Sequence, residues 1–454
     1  MNKIKKSEKI SIQEGSFTGL MDGFGMRYIT PYALALGASN MIIALLSTLP
    51  NLLGNLFQLH TLQLMHKRSR KLLVFVSVFT QALLWIPVIG IGVLYLFFES
   101  IRGLTPLLLL IFYSIMIIAG TTASPAWNSW MRDLIVINRG KYFGIRNRTI
   151  NLVAVVSMFA ASFILSYFSG QKILIGFFII FSIALMGRLI ASYLLTKQYE
   201  PEFRIDKSSY FSFRSFLRQI LNNNFGRFVL FVSLISFATA VAGPFFVVYM
   251  FKNLHFSYIQ YSIVTIASVL TTIVFLPKWG AFSDSFGNLK VLKITGYIIP
   301  IIPFLWVATF FFQNQPYLIA YLFVLELLAG FIWSGFNLSA STFIFDAVTR
   351  EKMAICVAYF NILNSFGALA GALIGGLISS LNIPFFGLGT LMLIFVLSGI
   401  LRFIVSFSML PRLKEVRTTQ DFSVKDYIRK LIKINEIMHW RFMGFKPVRL
   451  INTN

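Results

Sequence analysis

Three ionisable side chains lie where the surrounding sequence is almost wholly apolar: Asp22 and Arg27 in LMDGFGMRYIT, and Glu326 in FVLELLAG. A charge placed in an apolar block costs roughly 2.5 to 3.5 kcal/mol to insert into a membrane, so it faces a partner or a wet cavity. The chemistry open to such a set is charge and proton handling. Burial favours the neutral form of a carboxyl group and a nearby arginine favours the charged form, so a glutamate that meets the two settings in turn exchanges a proton. The competing reading is a fixed Arg27–Glu326 salt bridge that only orders helix packing. Asp22 stands five residues before Arg27, about 140° around a regular helix, which points the two apart. Trp127 and Asn128 in SPAWNSW, with Trp333 and Asn337 further on, add aromatic faces and amides that can orient a polar solute. Trp130, close to a helix end, reads as an interfacial anchor.

Other chemistries find no footing. His60, His66, His255 and His439 have no metal-ligand spacing, and the single cysteine, Cys356, reads as a small buried residue. There is no phosphate-binding glycine loop and no plausible Ser/His/Asp set, which argues against an enzyme, ATP-driven transport, a metal site or any cofactor.

The elements that carry these residues follow from composition. With 57% hydrophobic and 12% charged residues and a mean hydropathy of +0.76, the chain cannot coat a water-facing globule. Apolar blocks of membrane-spanning length recur at 17–38, 39–65, 72–98, 105–131, 149–169, 173–196, 228–251, 257–282, 289–312, 316–345, 353–380 and 384–410. These predict twelve helices and no outer-membrane barrel. No cleavable signal peptide is expected, because Asp22 and Arg27 interrupt the first block.

The net charge of +24 is a topology signal. All but four of the 40 Lys and Arg fall in the N-terminus, the even-numbered connections, the tail and the flanking helix ends. Arg102, Lys172 and Lys252 lie on the opposite side, and Arg27 lies within the first block. This asymmetry puts both termini in the cytoplasm. It argues against a nucleic-acid partner, since no folded basic module is visible.

The chain also repeats. Arg188 in GRLIASYLL and Arg402 in LRFIVSFSML occupy matching contexts, and Asn147 and Asn361 share their offset. Asp133 and Asp346 precede those asparagines at nearly equal distance. Six helices per repeat return the second half in the same orientation, so the halves are parallel. The expected division is a first half at 1–196, a cytoplasmic linker at 197–227, a second half at 228–410 and a basic tail at 411–454.

After the eighth block stands GAFSDSFGNLK, from Gly280 through Asp284 and Gly287 to Lys290. Together with twelve helices, a central linker and parallel halves, this resembles the major facilitator superfamily of secondary transporters. The resemblance implies an all-α membrane protein with twelve transmembrane helices in two parallel six-helix repeats around a central cavity. It further implies a small solute moved by alternating access, coupled to protons or sodium or to neither, in a plasma (inner) membrane by a monomer. In that family the first, fourth, seventh and tenth helices line the cavity, which brings in Asp22, Arg27, Trp127, Asn128, Glu326, Trp333 and Asn337. The signature aspartate helps to hold the halves together on the cytoplasmic side, a role that falls to Asp284 with Arg139, Lys141 or Arg146 as partner. A carboxylate there is expected to gain from a helix N-terminus, with Gly280 and Gly287 permitting close turns. The first half departs from the pattern, with Leu62, His66 and Ser69 in place of the glycines and aspartate.

On the second block Ser47, Asn51, Asn55 and Gln58 form a polar stripe that lines a pathway or glues helices. Gly367, Gly371 and Gly375 permit close packing, at a contact that could slide during transport. Residues 421–440 read as a basic amphipathic helix on the lipid surface, or as a docking helix for a protein partner. The alternative to a carrier is a receptor on a transporter scaffold. In a chain with Cys356 replaced by Ser, cysteines at Lys172 and Lys252 are expected to label from outside whole cells, and one at Lys207 only after permeabilisation. The opposite pattern overturns the orientation.

Overall fold

The computed structural model describes residues 2–65, 67–135, 139–201, 213–349, 352–381, 383, 389–417 and 419. His66, the turn around Lys207 and the expected amphipathic helix at 421–440 lie outside these residues. The described residues form helices and connections, with no strand. The first six helices are α1 (Asn2–Phe24, resuming as Ile29–Ala35), α2 (Asn40–Met65), α3 (Arg70–Leu83 and Trp85–Phe97), α4 (Thr105–Leu134), α5 (Arg139–Tyr167) and α6 (Ile173–Thr196). The second six are α7 (Asn224–Lys252), α8 (Tyr258–Phe286), α9 (Asn288–Ile298 and Ile301–Val307), α10 (Gln315–Ala347), α11 (Met353–Ser380) and α12 (Thr390–Met409). A short helix at Phe213–Gln219 precedes α7.

Eleven spans among the described residues are long and apolar enough to cross a membrane. The twelfth helix, α1, falls short because its first turns are polar and Gly25 breaks it. Those polar turns, from Asn2, are helical well before the expected start at 17, and their partners explain why. Ser7 accepts from the Tyr199 amide (2.8 Å), Ser11 accepts from the Tyr142 hydroxyl (2.7 Å), and Glu14 pairs with Arg146 (2.7 Å). The same Arg146 and Tyr142 draw α5 into helix from Arg139, ten residues before the apolar block begins.

Packing repeats between the halves. Helix α1 lies on α5 and α6 as α7 lies on α11 and α12, α2 lies on α4 as α8 lies on α10, and α3 lies on α4 as α9 lies on α10. The halves meet through α2 with α11 and α5 with α8. The α1–α5 and α7–α11 contacts are both backbone-close, but the glycines that permit this sit on opposite partners. Gly19 and Gly23 of α1 press on carbonyls of Ile150 and Ala154, whereas Gly367, Gly371 and Gly375 of α11 press on carbonyls of Ser233, Phe237 and Val241. The α11 glycine stripe therefore seals a contact inside one half, and the expectation of sliding does not fit it. Gly376, on another face, meets Met41 and Ala44 of α2.

Among the described residues, buried apolar side chains form one large cluster and two small ones. The large cluster joins both halves at the end of the molecule remote from the start of α1, the distal end, and in the second half it runs on to the opposite end through Phe228, Phe343 and Leu410. At the end where α1 begins and α12 ends, the basic end, no cluster of described residues joins the halves: Val74, Ala126, Trp130 and Tyr142 belong to one half, and Trp279, Phe282, Phe286 and Val291, beside the large cluster, to the other. Trp130 is fully buried and donates to the Tyr199 carbonyl (2.9 Å). It holds the segment leaving α6 rather than anchoring in an interface.

Candidate functional site

The break in α1 shapes the middle of the molecule. Gly25 has no room for a side chain, since a Cβ there would lie 2.4 Å from the Trp85 ring. Three residues of 3-10 helix follow, Met26–Tyr28, before the helix resumes at Ile29. Pro31 then removes the amide that would bond the Arg27 carbonyl one turn back. Inside a membrane such a carbonyl needs another donor. Tyr261 of α8, in the opposite half, supplies it at 3.2 Å. Next to it the Tyr28 hydroxyl donates to the Met158 carbonyl (2.7 Å), and with its one proton so used it accepts from Ser262 of α8 at 2.8 Å. The two tyrosine rings meet edge to face, with centroids 6.2 Å apart. Phe177 against Tyr258 (5.9 Å) and Lys252 against Asn40 (3.4 Å) continue the distal seam.

Hydrogen bonds between described residues of the two halves are otherwise confined to Asn55 of α2, which donates to Ser365 (2.7 Å) and the Asn361 carbonyl (3.5 Å) of α11. In the α2 stripe Asn51 bonds only its own helix, so the stripe joins helices at Asn55. From there to the basic end no hydrogen bond or ion pair between described residues bridges the halves.

The charges at depth divide by half. In the first, Glu14 and Thr18 stand one turn apart on α1. Arg188 of α6 donates to Thr18 (2.8 Å), Thr18 donates to Glu14 (2.9 Å), and Glu14 pairs with Arg146 of α5. Asp22 continues this face one turn on, where Arg188 acts on it more strongly than Arg27. Asp22 and Arg27 are not ion-paired, although the helical angle is no longer the reason, because the helix breaks between them. In the second half, Glu326 of α10 has the Ser268 hydroxyl of α8 beside it. Its backbone neighbourhood is tight, since Gly330, one turn on, abuts the Ser268 carbonyl. The charges of Glu326 and Arg27 both reach Tyr261, but the two side chains form no ion pair in this structure.

Trp127, expected as a cavity wall, stacks under the Arg146 guanidinium (4.3 Å to the ring centroid) and against Phe143. Trp333 is half-buried, edge-on to Phe336. Asn128 and Asn337 are exposed and make no hydrogen bond to a described residue. Glu14 and Arg146 were not among the expected depth charges, because their surroundings in sequence are polar. Arg188 and Arg402, which mark the repeat in the sequence, are both buried. Unlike Arg188, Arg402 has no carboxylate, only the Thr239 carbonyl at 3.5 Å.

At the basic end the signature segment closes α8. Gly287 has a φ of +91°, and a Cβ there would strike Glu415, so both conformation and space demand glycine. Asp284 lies in the last turn of α8 and is 79% exposed, with Arg417 at 3.8 Å. It does not cap a helix N-terminus as expected: Glu415 does, accepting from the Leu289 amide (2.8 Å). Glu200 does the same in the first half, accepting from the Arg70 amide (2.9 Å). Arg70, fully buried, bonds Asp133 (2.5 Å), and Asp346 takes Arg417 and Asn288, both at 2.7 Å. Of the cationic partners expected for Asp284, Arg146 is committed to Glu14, and the side chains of Arg139 and Lys141 lie outside the described set. Gly280 is near only Leu338, and Lys290 lies 5.9 Å from the Phe286 ring centroid.

Two six-helix sets, sealed at one end and parted at the other around charged side chains, match known transporters over most of their length. A point mutant of the nucleoside transporter NupG superposes with a TM-score of 0.67 at 15% identity, covering 89% of this chain and all of that one. A D-xylose–proton symporter gives 0.66 at 17%, covering 92% and all. A bacterial homologue of the iron transporter ferroportin, in an inward-facing state, gives 0.58 at 12%, covering 90% and 99%. A search of curated protein sequences finds no match. The sequence description of the Major Facilitator Superfamily matches residues 228–449. By that match the second half is of the major facilitator superfamily. The half that departs from the family signature at Leu62, His66 and Ser69 lies outside the matched range, while the fold embraces both halves. Chains of this superfamily are secondary transporters, and the eleven apolar spans here mark an integral membrane protein with their fold.

Freeing the Arg27 carbonyl should loosen the distal seam. Tyr261→Phe leaves it without a donor, at a cost of about 1–3 kcal/mol. A cysteine pair at Ala44 and Gly376 reports the seam, because the Gly376 Cβ would lie 3.3 Å from that of Ala44, close to the roughly 3.5–4.5 Å of a disulfide. In a Cys356→Ser background the expected disulfide yield falls several-fold with Tyr261→Phe and recovers when Pro31→Ala restores the amide. Equal yields in all three chains remove the role given to Pro31.

Proposed function

We propose that this transporter moves its solute with protons, by alternating access, and that the arrangement described here is open to the cytoplasm. The observation that carries the reading is the contrast between its ends. One continuous core and the Tyr28–Ser262 and Tyr261–Arg27 bonds close the distal end, while separate cores leave the basic end parted. The distribution of Lys and Arg supports a cytoplasmic basic end with both termini on that side, in a plasma (inner) membrane.

In this reading Asp22, Arg27, Glu326, Trp333, Asn128 and Asn337 border the solute path, and Trp127 acts one step back by fixing Arg146. When the halves rock and the basic end closes, Asp284 must leave exposed surroundings and meet the first half. Arg417, which now lies near Asp284 and bonds Asp346, holds the second half's own cluster meanwhile. Gly280, Gly287 and Lys290 shape the turn that presents the carboxylate.

Glu326 is the group proposed to carry the proton. The titratable side chain that shares its surroundings is Tyr261 of α8, itself within reach of Arg27. On α9, Tyr297 stacks instead on Phe407 of α12, and α7 brings no titratable group to this depth. A shift of the halves that changes the distance between Arg27 and Glu326 changes which protonation state is favoured. In proteoliposomes Glu326→Gln should reduce pH-driven accumulation at least roughly tenfold while solute exchange persists. Unchanged pH-driven accumulation in a well-folded Gln chain removes the coupling role.

A further inference from the structure

Five charged side chains occupy the middle of the spanning helices: Asp22 and Arg27 on α1, Arg188 on α6, Glu326 on α10 and Arg402 on α12. Lys278, two turns from the basic end of α8, lies over the Phe275 ring at 4.6 Å and belongs to that end. The three arginines have different surroundings. Arg188 bonds Thr18, and its charge is met by Glu14 and Asp22. Arg402 is 1% exposed and stands against the Thr239 carbonyl of α7, shut away from any solute. Arg27 is exposed, and its guanidinium has no hydrogen bond or ion pair to any described residue.

The Arg27 carbonyl meets Tyr261 of α8 at 3.2 Å, so the exposed side chain leaves α1 at the junction of the halves. The break at Gly25 and the absent Pro31 amide fix the Arg27 backbone to α8, so the side chain is presented from a held position. With Arg188 met by Glu14 and Asp22, Arg27 and the enclosed Arg402 are left with Glu326, the proposed proton carrier, as the remaining carboxylate at this depth. With Glu326 protonated the excess is two positive charges in surroundings where an unmatched charge is costly. A guanidinium offers five donors in a planar fork that matches carboxylate and phosphate oxygens.

We infer that the transported solute bears an anionic group, a carboxylate or a phosphate, and that Arg27 is the residue that holds it. The remainder of the solute extends toward the basic opening, past Trp333 and Asn337, which follow Glu326 along α10 in that direction. An anion at Arg27 together with a proton on Glu326 leaves the charge of the cavity as it was, so the two can cross without net charge. The inference rests on the carrier reading and narrows it to a chemical class.

The test uses purified full-length protein and matched solutes: L-lactate with L-lactamide, benzoate with benzamide, and D-gluconate and D-glucose 6-phosphate with D-glucose. The expected result is that an anionic member raises the melting midpoint by at least about 3 °C while its neutral partner does not. Arg27→Gln should lose that shift with its unliganded midpoint little changed, and Arg27→Lys, which keeps the charge, should retain a measurable part. Gluconate against glucose 6-phosphate tells carboxylate from phosphate. An equal shift in Arg27→Gln, a shift with neutral members only, or no anion-dependent shift anywhere in the panel overturns the inference. Accumulation of a neutral member by proteoliposomes, unaffected by Arg27→Gln, overturns it too and leaves the carrier reading standing. An anion that binds through Arg27 but never crosses the bilayer supports the site and contradicts the carrier reading.

Discussion

In hydrocarbon no water is available to take up a backbone group that a helix leaves unbonded, and the arrangement of this transporter turns on one such group. Pro31 denies the Arg27 carbonyl its helical partner, and Tyr261 from the other half provides one. A local fault in α1 is thereby converted into a bond between halves. The same break presents the Arg27 side chain to the space that the halves enclose, and it sets Tyr28 beside Ser262. The gate and the charge are thus consequences of one stretch, Gly25 to Pro31, and neither can move without the other.

The two halves solve the same problems with different residues. Both cap the helix that follows the signature turn with a glutamate from the segment leaving the last helix of the half, Glu200 or Glu415. Both bring a guanidinium to an aspartate at the end of the fourth helix of the half. Asp133 takes it from Arg70 at the start of α3, whereas Asp346 takes it from Arg417 beyond α12, because Asn288 stands where α9 begins. At depth the symmetry fails: Arg188 has carboxylates in its field and Arg402 has none.

Much of this was legible in the sequence. Apolar block length gave the twelve helices, the offset of Arg188 and Arg402 gave the parallel repeat, and isolation among apolar neighbours marked Asp22, Arg27 and Glu326. What escaped depends on partners distant in the chain. The polar turns of α1 and α5 have no helical pattern of their own and are stabilised by each other through Glu14 and Arg146. Glu415 and Arg417 look like ordinary tail charges until folding brings them to Gly287 and Asp346. The break in α1 had a readable sign, a glycine and a proline six residues apart around Arg27, but the angle assigned to Asp22 and Arg27 assumed an unbroken helix. Trp127 shows the limit of reasoning from residue type, since an aromatic face suits a solute and a guanidinium equally well, and Arg146 takes it.

The central claim is that closure at the distal end and opening at the basic end are one state of a pair that exchange. Helices α2 and α11 run the length of the contact between halves, so spin labels at Ser39 and Ser380 report the distal end, and labels at Arg68 and Lys352 report the basic end. In lipid nanodiscs moved from alkaline to acidic buffer, with and without a solute that binds, the two distance distributions are expected to shift in opposite senses. Distances that lengthen together, or one that changes while the other stays fixed, contradict the claim.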